Sequence, residues 1–265
     1  MIVTTSLRAL SADVELAERL AGEIGADYVA RLGRQLAVIQ EEFQTPCVIV
    51  LEHGQPVVYQ DGTRFFFHRG MAELRMLNIL RTGHDPMVRA MNLSPGMSVL
   101  DCTLGLAADA LVAAFIVGDG GMVLGLEASP VVAALTRWGL LEIQAADSDA
   151  REQTRQAARR IQVRQANHQE YLAGLADNSF DVVYFDPMFR RPQATSCGIQ
   201  PLRIFADTAP LNQAAIRDAL RVARLRVVVK ESQGSREFER LGIGEIVGGR
   251  YSSVQYGILR KEELG

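Results

Sequence analysis

The feature that most limits the fold of this chain is a regular alternation of two patterns. From Met97 onward, short apolar segments rich in β-branched residues are separated by longer helical patterns. The apolar segments are MSVLDCT, MVLGLEAS, IQVRQAN, FDVVYFDP and RLRVVVKES. This alternation predicts an α/β fold with a doubly wound, mostly parallel sheet that has helices on both faces. The closing segment, EIVGGRYSSVQYGILR, predicts an antiparallel hairpin that completes a sheet of seven strands.

The sequence before this point follows a different pattern. MIVTTS predicts a strand, and the spacing of the next apolar residues predicts an amphipathic helix capped by Ser11 or Asp13. CVIVLEHGQPVVYQDGTRFFF then predicts three short strands separated by HG and DG turns. The chain is therefore expected to divide into a small N-terminal α+β unit at 1–68, a helical bridge at 69–96 and a sheet domain at 97–265.

Composition narrows the class of protein. The chain has 265 residues, of which 48% are hydrophobic, and its apolar runs fall short of the roughly 18 to 20 residues of a membrane span. The start, MIVTTSLRAL, lacks the features of a secretory signal, and the three cysteines are scattered without a C-x-x-C spacing. We therefore predict a cytoplasmic protein with free thiols, no metal site and no membrane partner.

The strand ends carry the residues expected to bind a ligand, since open α/β sheets bind ligands beyond the carboxyl ends of their strands. The first strand ends in VLDCTLGLAADA, where Asp101, Thr103, Gly105 and Asp109 surround a turn into a helix. Gly105 lets a ligand approach the backbone, and the Asp101 carboxylate can accept hydrogen bonds from a cationic amine. The turn lacks the G-x-G-x-x-G pattern that pyrophosphate requires, which disfavours a hydride-transfer enzyme. It favours a ligand that carries an ammonium group.

The next two strands end in groups suited to a nucleoside. Glu127 follows Asp101 by 26 residues, in the place of an acid that binds two ribose hydroxyls. Asn167 and His168 follow the third strand and can hydrogen-bond an adenine. An amino acid joined to a nucleoside satisfies all three strand ends, which predicts S-adenosylmethionine as the cofactor. Each residue alone also has a structural interpretation, because Asp101, Asp109 and Glu127 can cap helices and a single His is more often a satisfied polar residue.

The fourth strand ends in YFDPMF. Pro187 cannot donate to a sheet ladder and favours an extended conformation at Asp186, so the strand must stop there. An exocyclic aryl amine is a poor nucleophile because its lone pair is delocalised into the ring. The Asp186 carboxylate and the Pro187 carbonyl can accept its N–H groups, and Phe189 can stack on the base, an interaction worth about 1 to 3 kcal/mol. The segment predicts methyl transfer to an amine, accelerated mainly by positioning; the structural alternative is a turn with a buried Phe189.

Together these motifs resemble a known family, the bacterial class I S-adenosylmethionine-dependent methyltransferases that modify guanine N2 of 16S ribosomal RNA, with its uncharacterised relatives. Similar segments are FFFHRGMAELR, LDCTLGLAADALV, EASPVVAAL, VVYFDPMF, RVVVK and RYSSVQYGIL. The resemblance implies a Rossmann-like fold, S-adenosylmethionine, and 16S RNA or an assembling small subunit as substrate. It implies that the catalytic site, which holds the target nucleobase, consists of Asp186, Pro187, Met188 and Phe189. It also implies a cofactor site at Asp101, Thr103, Gly105, Leu106, Ala107, Asp109, Glu127, Ala128, Asn167 and His168.

The sequence departs from the family pattern in two segments. Ala107 and Ala108 stand where the family's first motif has a second Gly followed by Arg, and alanine is small enough to keep the turn. After DPMF the family continues with a lysine-rich segment, whereas this chain has Arg190, Arg191 and Arg203. The first 60 residues also differ from the enterobacterial type, which predicts a distinct subgroup.

The net charge of −3 gives no overall attraction to RNA, so RNA binding has to be local. We predict phosphate contacts from Arg190, Arg191, Lys230 and Arg250 beside the fourth strand, with Arg69 and Arg75 nearby on the bridge. Two other functions stay open. One is the same methyl transfer to a small molecule or a protein, and the other is an RNA-binding or ribosome-assembly protein that keeps the fold without catalysis.

Overall fold

The computed structural model describes residues 1–145, 152–187, 205, 209–249 and 252–261. The N-terminal part is a sheet of strands β1 (Ile2–Thr5), β2 (Asp27–Tyr28), β3 (Cys47–Glu52), β4 (Gln55–Gln60) and β5 (Thr63–Phe66), with helices α1 (Ser11–Ile24) and α2 (Leu36–Glu42). Its order is β2-β1-β3-β4-β5, with β1 parallel to both neighbours and β3, β4 and β5 antiparallel. The predicted small α+β unit is confirmed.

The turns of this unit follow from their residues. Both the HG and the DG turn have positive φ at their two central residues, which is the backbone of a type I′ hairpin. The predicted cap of α1 was wrong, because Leu10 is the N-cap residue. Asp13 acts from inside the first turn instead, where its carboxylate accepts the amide N–H of Leu10 at 2.9 Å. A carboxylate in the first turn is also favoured by the helix dipole.

Two helices join this unit to the larger sheet, α3 (Gly70–Thr82) and α4 (Pro86–Met91). Asp85 caps α4, since its Oδ1 accepts the amide N–H groups of Met87 at 3.0 Å and Val88 at 3.1 Å. Proline occupies the first position of α4, which suits a residue without an N–H, because an N–H at a helix start has no acceptor within the helix.

The larger sheet has seven strands, as predicted. They are β6 (Ser98–Asp101), β7 (Met122–Glu127), β8 (Ile161–Gln165), β9 (Phe180–Phe185), β10 (Ala223–Ser232), β11 (Glu245–Val247) and β12 (Val254–Arg260). The order is β11-β12-β10-β9-β6-β7-β8, in which β6 to β10 are parallel and the pairings of β12 with β10 and β11 are antiparallel. The helices are α5 (Ala108–Val117), α6 (Pro130–Ala145), α7 (Glu152–Arg159), α8 (His168–Ala173), α9 (Gln213–Val222) and α10 (Glu237–Leu241).

Apolar side chains cover both faces of the larger sheet. On one face, Met87 of α4 and Leu111 of α5 are buried in one cluster with Val99 of β6. On the other face, Ile216 of α9 and Phe238 of α10 are buried in a second cluster. Because the strands are covered on both sides, their ends are the part of the sheet that is left for polar chemistry. In the described part of the chain, no helix is both long and apolar enough to cross a membrane.

The N-terminal unit packs against the larger sheet domain. Leu20 of α1 and Ile49 of β3 share a buried cluster with Val131 of α6 and with Leu106, which lies in the turn after β6. Phe67 packs closely on Gly139 of α6, because a Cβ placed at that glycine would meet the Phe67 ring at 2.0 Å. The small unit therefore supports one wall of the turn that was predicted to bind the cofactor.

Candidate active site

Parallel strands of the larger sheet end at one edge, where β6 lies between β7 and β9. The chain order reverses at this point, since β7 and β8 extend to one side of β6 while β9 and β10 extend to the other. Asp101 of β6 lies opposite Tyr184 of β9 and opposite Gly125 of β7. Glu127 pairs with Gln165 at the end of β8. The predicted strand ends thus meet at the switch point of the sheet, the place where open α/β sheets bind ligands.

Thr103 ties the ends of β6 and β9 together. Its amide N–H donates to Oδ1 of Asp101 at 3.0 Å, and its hydroxyl oxygen accepts the amide N–H of Asp186 at 2.6 Å. The neighbouring Cys102 N–H donates to the carbonyl of Tyr184 at 2.9 Å, which continues the pairing of the two strands. The separation between the two acids is therefore set by the backbone.

Glu127 supports the turn after β6 from the next strand. Its Oε2 accepts the amide N–H of Gly105 at 3.0 Å, and its Oε1 accepts the amide N–H of Ser129 at 2.9 Å. The hydroxyl of Thr136 in α6 donates to the carbonyl of Gly105 at 2.6 Å. Both oxygens of the Glu127 carboxylate thus act as acceptors at this turn, and a carboxylate is the kind of group that binds hydroxyl groups.

The same turn contains two residues with a left-handed backbone. Gly105 has φ of 52°, which glycine adopts without strain, and Ala107 has φ of 59°. This conformation costs a residue with a Cβ about 1 to 2 kcal/mol. Ala107 is fully buried, and its amide N–H donates to the carbonyl of Leu104 at 2.9 Å, which holds it in place. The alanine that replaces the family's second glycine thus keeps the turn at the expense of local strain.

The remaining predicted cofactor residues lie around this turn and at the end of β8. Leu106 is buried, and Ala128 is half-buried beside Glu127. Asn167 caps α8 by accepting the amide N–H of Gln169 at 2.9 Å. The ring of His168 lies edge-on to Phe185, with centroids 5.6 Å apart. The adenine contacts expected of Asn167 and His168 stay a prediction.

Beside β9 the structure brings together a cluster of buried charges. The ammonium of Lys230 donates to Oδ2 of Asp109 at 2.9 Å and to Oδ2 of Asp186 at 2.7 Å. The hydroxyl of Tyr184 donates to Oδ2 of Asp109 at 2.7 Å, and Arg75 of α3 donates to Oδ1 of the same carboxylate. Lys230 was predicted to contact RNA and Asp109 to contact the cofactor. In the structure they contact each other, and these two roles stay predictions.

Arg75 extends the cluster to the bridge helices. Its guanidinium binds Asp85 through two hydrogen bonds of 2.9 Å, one to each carboxylate oxygen, in addition to its contact with Asp109. Planar guanidinium groups match carboxylates in this two-pronged geometry. The start of α4 and the start of α5 are therefore held together by one arginine, which the sequence analysis had placed nearby as an RNA contact.

The acids of the site have displaced pKa values. Burial raises the pKa of Asp101 to about 8, and the nearby carboxylates of Asp109 and Asp186 add to the effect. Burial also raises the pKa of Asp186 to about 6, against the lowering effect of Lys230. For Asp109, the cations Lys230 and Arg75 outweigh burial and hold the pKa below its usual range. A cluster of carboxylates with displaced pKa values at the switch point of the sheet is typical of a functional site.

The donor set at this edge fits S-adenosylmethionine. Asp101 is a carboxylate with 3% exposure that lies among other acids, so a cationic ligand would stabilise its ionised form. Glu127 lies one strand away, its carboxylate is the kind of acceptor that ribose hydroxyls require, and the Gly105 turn runs between the two acids. These groups suit a ligand with an ammonium at one end and a nucleoside at the other.

Several predicted residues lie outside the described residues, namely Met188, Phe189, Arg190, Arg191 and Arg250. Pro187 is described and follows β9 in a segment without helix or strand, as a proline at that place requires. Two groups of the charge cluster, Tyr184 and Asp85, were missed by sequence reasoning. A signal was present, because a lysine within the buried strand VVVKES needs an acidic partner nearby.

Comparisons with known proteins agree with this geometry. The family model described as "Putative SAM-dependent methyltransferase" matches residues 57–242, which is more than half of the chain. The chain is 36% identical over 259 residues to the uncharacterised protein YpiP of Bacillus subtilis, covering 98% of this chain and 99% of that protein. It is 32% identical over 239 residues to ribosomal RNA small subunit methyltransferase J of Thioalkalivibrio sulfidiphilus, covering 85% and 86% of the two chains.

A solved structure shares the fold. It is the crystal structure of a SAM-dependent methyltransferase from Neisseria gonorrhoeae, with a TM-score of 0.69, 20% sequence identity and coverage of 100% of this chain and 99% of that chain. The fold, the donor set at the switch point and the match of the family model lead to one conclusion. The chain belongs to this family of S-adenosylmethionine-dependent methyltransferases, with S-adenosylmethionine as its cofactor.

Proposed function

We propose that this protein methylates the exocyclic N2 amine of a guanine in the RNA of the small ribosomal subunit, in the cytoplasm. The observation that carries the proposal is Asp186 at the end of β9, whose backbone N–H is bound by Thr103 beside Asp101 at the switch point and whose carboxylate is bound by Lys230. Relatives named ribosomal RNA small subunit methyltransferase J support RNA as the substrate class. The net charge of −3 means that RNA affinity depends on local cations.

Asp101 and Glu127 are the residues proposed to hold the cofactor, Asp101 at its ammonium and Glu127 at its ribose hydroxyls. The Gly105 turn and Asn167 complete the proposed site. When bound, S-adenosylmethionine supplies a methyl group activated by a positively charged sulfur. The protein's own task is to present the amine in line and to exclude competing water.

Asp186 and Pro187 are proposed to perform that task. The carboxylate of Asp186 accepts one N–H of the guanine amine and the carbonyl of Pro187 accepts the other, which aims the nitrogen lone pair. As the new N–C bond forms, the bond between the methyl carbon and sulfur would break with its electron pair left on sulfur, and the nitrogen loses one proton, which the Asp186 carboxylate accepts. A pKa of about 6 suits this step, because most Asp186 side chains are then ionised at neutral pH and the proton is readily released again.

The base and the RNA backbone require further contacts. Phe189 is proposed from the sequence to stack on the guanine, and Arg190, Arg191 and Arg250 to contact phosphates. Arginine suits these contacts because its planar guanidinium matches phosphate and stacks on bases. Binding through these residues would weaken as the salt concentration rises.

The test is methyl transfer from tritiated S-adenosylmethionine to small subunits and to total RNA from cells that lack this gene, followed by nucleoside analysis. Label in N2-methylguanosine is the expected result. Label in another nucleoside would overturn the guanine N2 assignment, and no label in RNA would overturn the RNA assignment. Label in a small-molecule or protein fraction would support the same chemistry on another substrate, which the negative charge and the presence of just two lysines favour.

A further inference from the structure

The pairing of strand β10 with β9 determines the position of Lys230. Strand β10 runs parallel to β9, and Val229 pairs with Phe185. The next residues along the two strands are Lys230 and Asp186, which brings the lysine beside the proposed catalytic carboxylate. Its ammonium lies 2.7 Å from Oδ2 of Asp186 and 2.9 Å from Oδ2 of Asp109.

The three side chains are shielded from water. The exposed fractions of the side chains are 18% for Lys230, 10% for Asp109 and 28% for Asp186. A lysine in such a place keeps its charge when acids surround it, because an unpaired buried ammonium is costly. Burial lowers the pKa of Lys230, but Asp186 and Asp109 outweigh burial, so that the pKa ends above its usual value. Lys230 is therefore a permanent cation at neutral pH.

Asp109 holds this cation from the other side. One of its oxygens accepts both Lys230 and the hydroxyl of Tyr184, and the other accepts Arg75. Three donors on one carboxylate leave it little freedom to turn. The position of the Lys230 ammonium is thus fixed by a group that does not belong to the DPMF segment.

The charge balance explains what Lys230 does for Asp186. Within the cluster that these ion pairs form with the adjacent Asp101, the described residues include four carboxylates and two cations; the carboxylates are Asp85, Asp101, Asp109 and Asp186, and the cations are Arg75 and Lys230. Arg75 is already bound to Asp85 and Asp109. Without Lys230, Asp186 would lose the cation that is bound to it and would face the charges of Asp101 and Asp109, which favours its protonated form.

We propose that Lys230 is a positioning residue for the methyl transfer, whose ammonium, fixed by Asp109, keeps the Asp186 carboxylate ionised and engages its Oδ2, so that Oδ1 accepts the amine of the substrate. This inference rests on the proposed function and assigns Lys230 a role within the site instead of an RNA contact. The nitrogen that forms its new bond to the methyl group gives its proton to Asp186, and Lys230 keeps its own protons throughout.

A pH dependence follows from the groups that face Asp186. They are Lys230 of β10, Asp101 of β6, Asp109 of α5 and Tyr184 of β9; Tyr256 of β12 lies near Lys230 and Asp109, and Arg75 of α3 lies behind Asp109. Lys230 lowers the pKa of Asp186, while burial and Asp109 raise it. Removing the cation should therefore move the acid limb of the pH–rate profile for methyl transfer to a higher pH, by about one to three units, which is the usual effect of one opposite charge at this distance.

The experiment compares Lys230→Met with Lys261→Met, which removes the other lysine of the chain, one that donates to the carbonyls of Leu220 and Arg221. Two measurements are made on each full-length protein. The first is the pH profile of methyl transfer to small subunits. The second is the titration of the Asp186 carboxyl carbon by NMR, assigned with Asp186→Asn, which needs neither cofactor nor substrate.

Lys230→Met should shift both the acid limb and the carboxyl titration upward, and Lys261→Met should shift neither. Lys230→Arg, which keeps the charge, should restore the wild-type titration. An unchanged titration in Lys230→Met would overturn the proposal, and so would an equal shift in Lys261→Met. If wild-type protein gave no methyl transfer to RNA, the proposed function would fail while the titration would still decide the role of Lys230.

Discussion

Two aspartates at opposite ends of β9 differ in what surrounds them. Asp181, at the amino end, accepts the amide N–H and the hydroxyl of Ser98 at 2.7 Å and 2.8 Å, and Arg224 at 3.1 Å. Asp186, at the carboxyl end, is bound by Lys230 among the carboxylates of Asp101 and Asp109. The two side chains expose similar fractions of their surface, 21% for Asp181 and 28% for Asp186, but Asp186 is surrounded by far more of the protein.

The pKa values of the two acids move in opposite directions. Burial raises the pKa of Asp181, but the hydrogen bonds from Ser98 and Arg224 outweigh burial and leave it below its usual value. Burial raises the pKa of Asp186 to about 6, and Asp109 adds to this while Lys230 opposes it. The amino end of the strand is thus arranged to stabilise its charge, and the carboxyl end to keep an acid that can exchange a proton near neutral pH.

The largest expected effect comes from removing each acid in turn. Asp186→Ala should lower the rate of methyl transfer about 100-fold with little change in thermal stability, because it removes a positioning contact at the reacting amine. Asp181→Ala should keep the rate and lower the free energy of unfolding by about 1 to 3 kcal/mol, because Ser98 loses its acceptor. Initial rates and thermal denaturation of both variants measure this. Full activity in Asp186→Ala would refute the proposed mechanism.

Asp101→Asn tests the carboxyl end of the sheet through its affinity for the cofactor. The variant should weaken S-adenosylmethionine binding about 10- to 100-fold, since a hydrogen bond to a charged group is worth about 1.5 to 3 kcal/mol. Calorimetric titration measures the affinity. Asp177→Asn, which alters an acid with 68% side-chain exposure paired with Arg221, should leave it unchanged. Unaltered affinity in Asp101→Asn would remove Asp101 from the cofactor site.

The same variant should also stabilise the protein without ligand. The pKa of Asp101 is raised to about 8, so between about pH 4 and pH 8 the folded state binds a proton that the unfolded state has lost. Stability therefore falls as the pH rises through this window. Asparagine does not titrate, so the gain in Asp101→Asn should be absent near pH 4 and largest near pH 8. Thermal midpoints at these two values check the sign.

Much of the fold could be predicted because the strands carry strong patterns. The apolar runs that end at Asp101, Glu127 and Phe185 lie in the sheet as expected, and the HG and DG turns close the predicted hairpins. Short elements were missed, namely β2, α2, α8 and α10. Segments of this length hold too few turns for a hydrophobic period to be recognised, and their formation depends on packing.

The candidate site likewise has one part that could be predicted from the sequence and one part that could not. The acids at the strand ends could be predicted because each one follows a strand and the carboxyl ends of parallel strands meet. The charge cluster could not, since Arg75 and Asp109 are 34 residues apart and Lys230 and Asp109 are 121 apart. The sequence placed Lys230 beside the fourth strand, but the carboxylates that it contacts depend on the register between β9 and β10.

The smallest expected effect concerns the cation at the amino end of β9. Arg224 binds Asp181 as Lys230 binds Asp186. The side chain of Arg224 is 48% exposed and that of Lys230 is 18% exposed. Arg224→Met should cost less than about 1 kcal/mol of stability, because solvent screens an exposed ion pair, and it should leave the pH profile of methyl transfer unchanged. Its small effect should be present above the unfolded pKa of Asp181 and vanish as the pH falls, since the folded pKa is depressed. Urea denaturation at neutral and acidic pH measures this loss of stability. If Arg224→Met instead shifted the acid limb of the pH–rate profile as Lys230→Met is expected to, the charges at the two ends of β9 would not act independently.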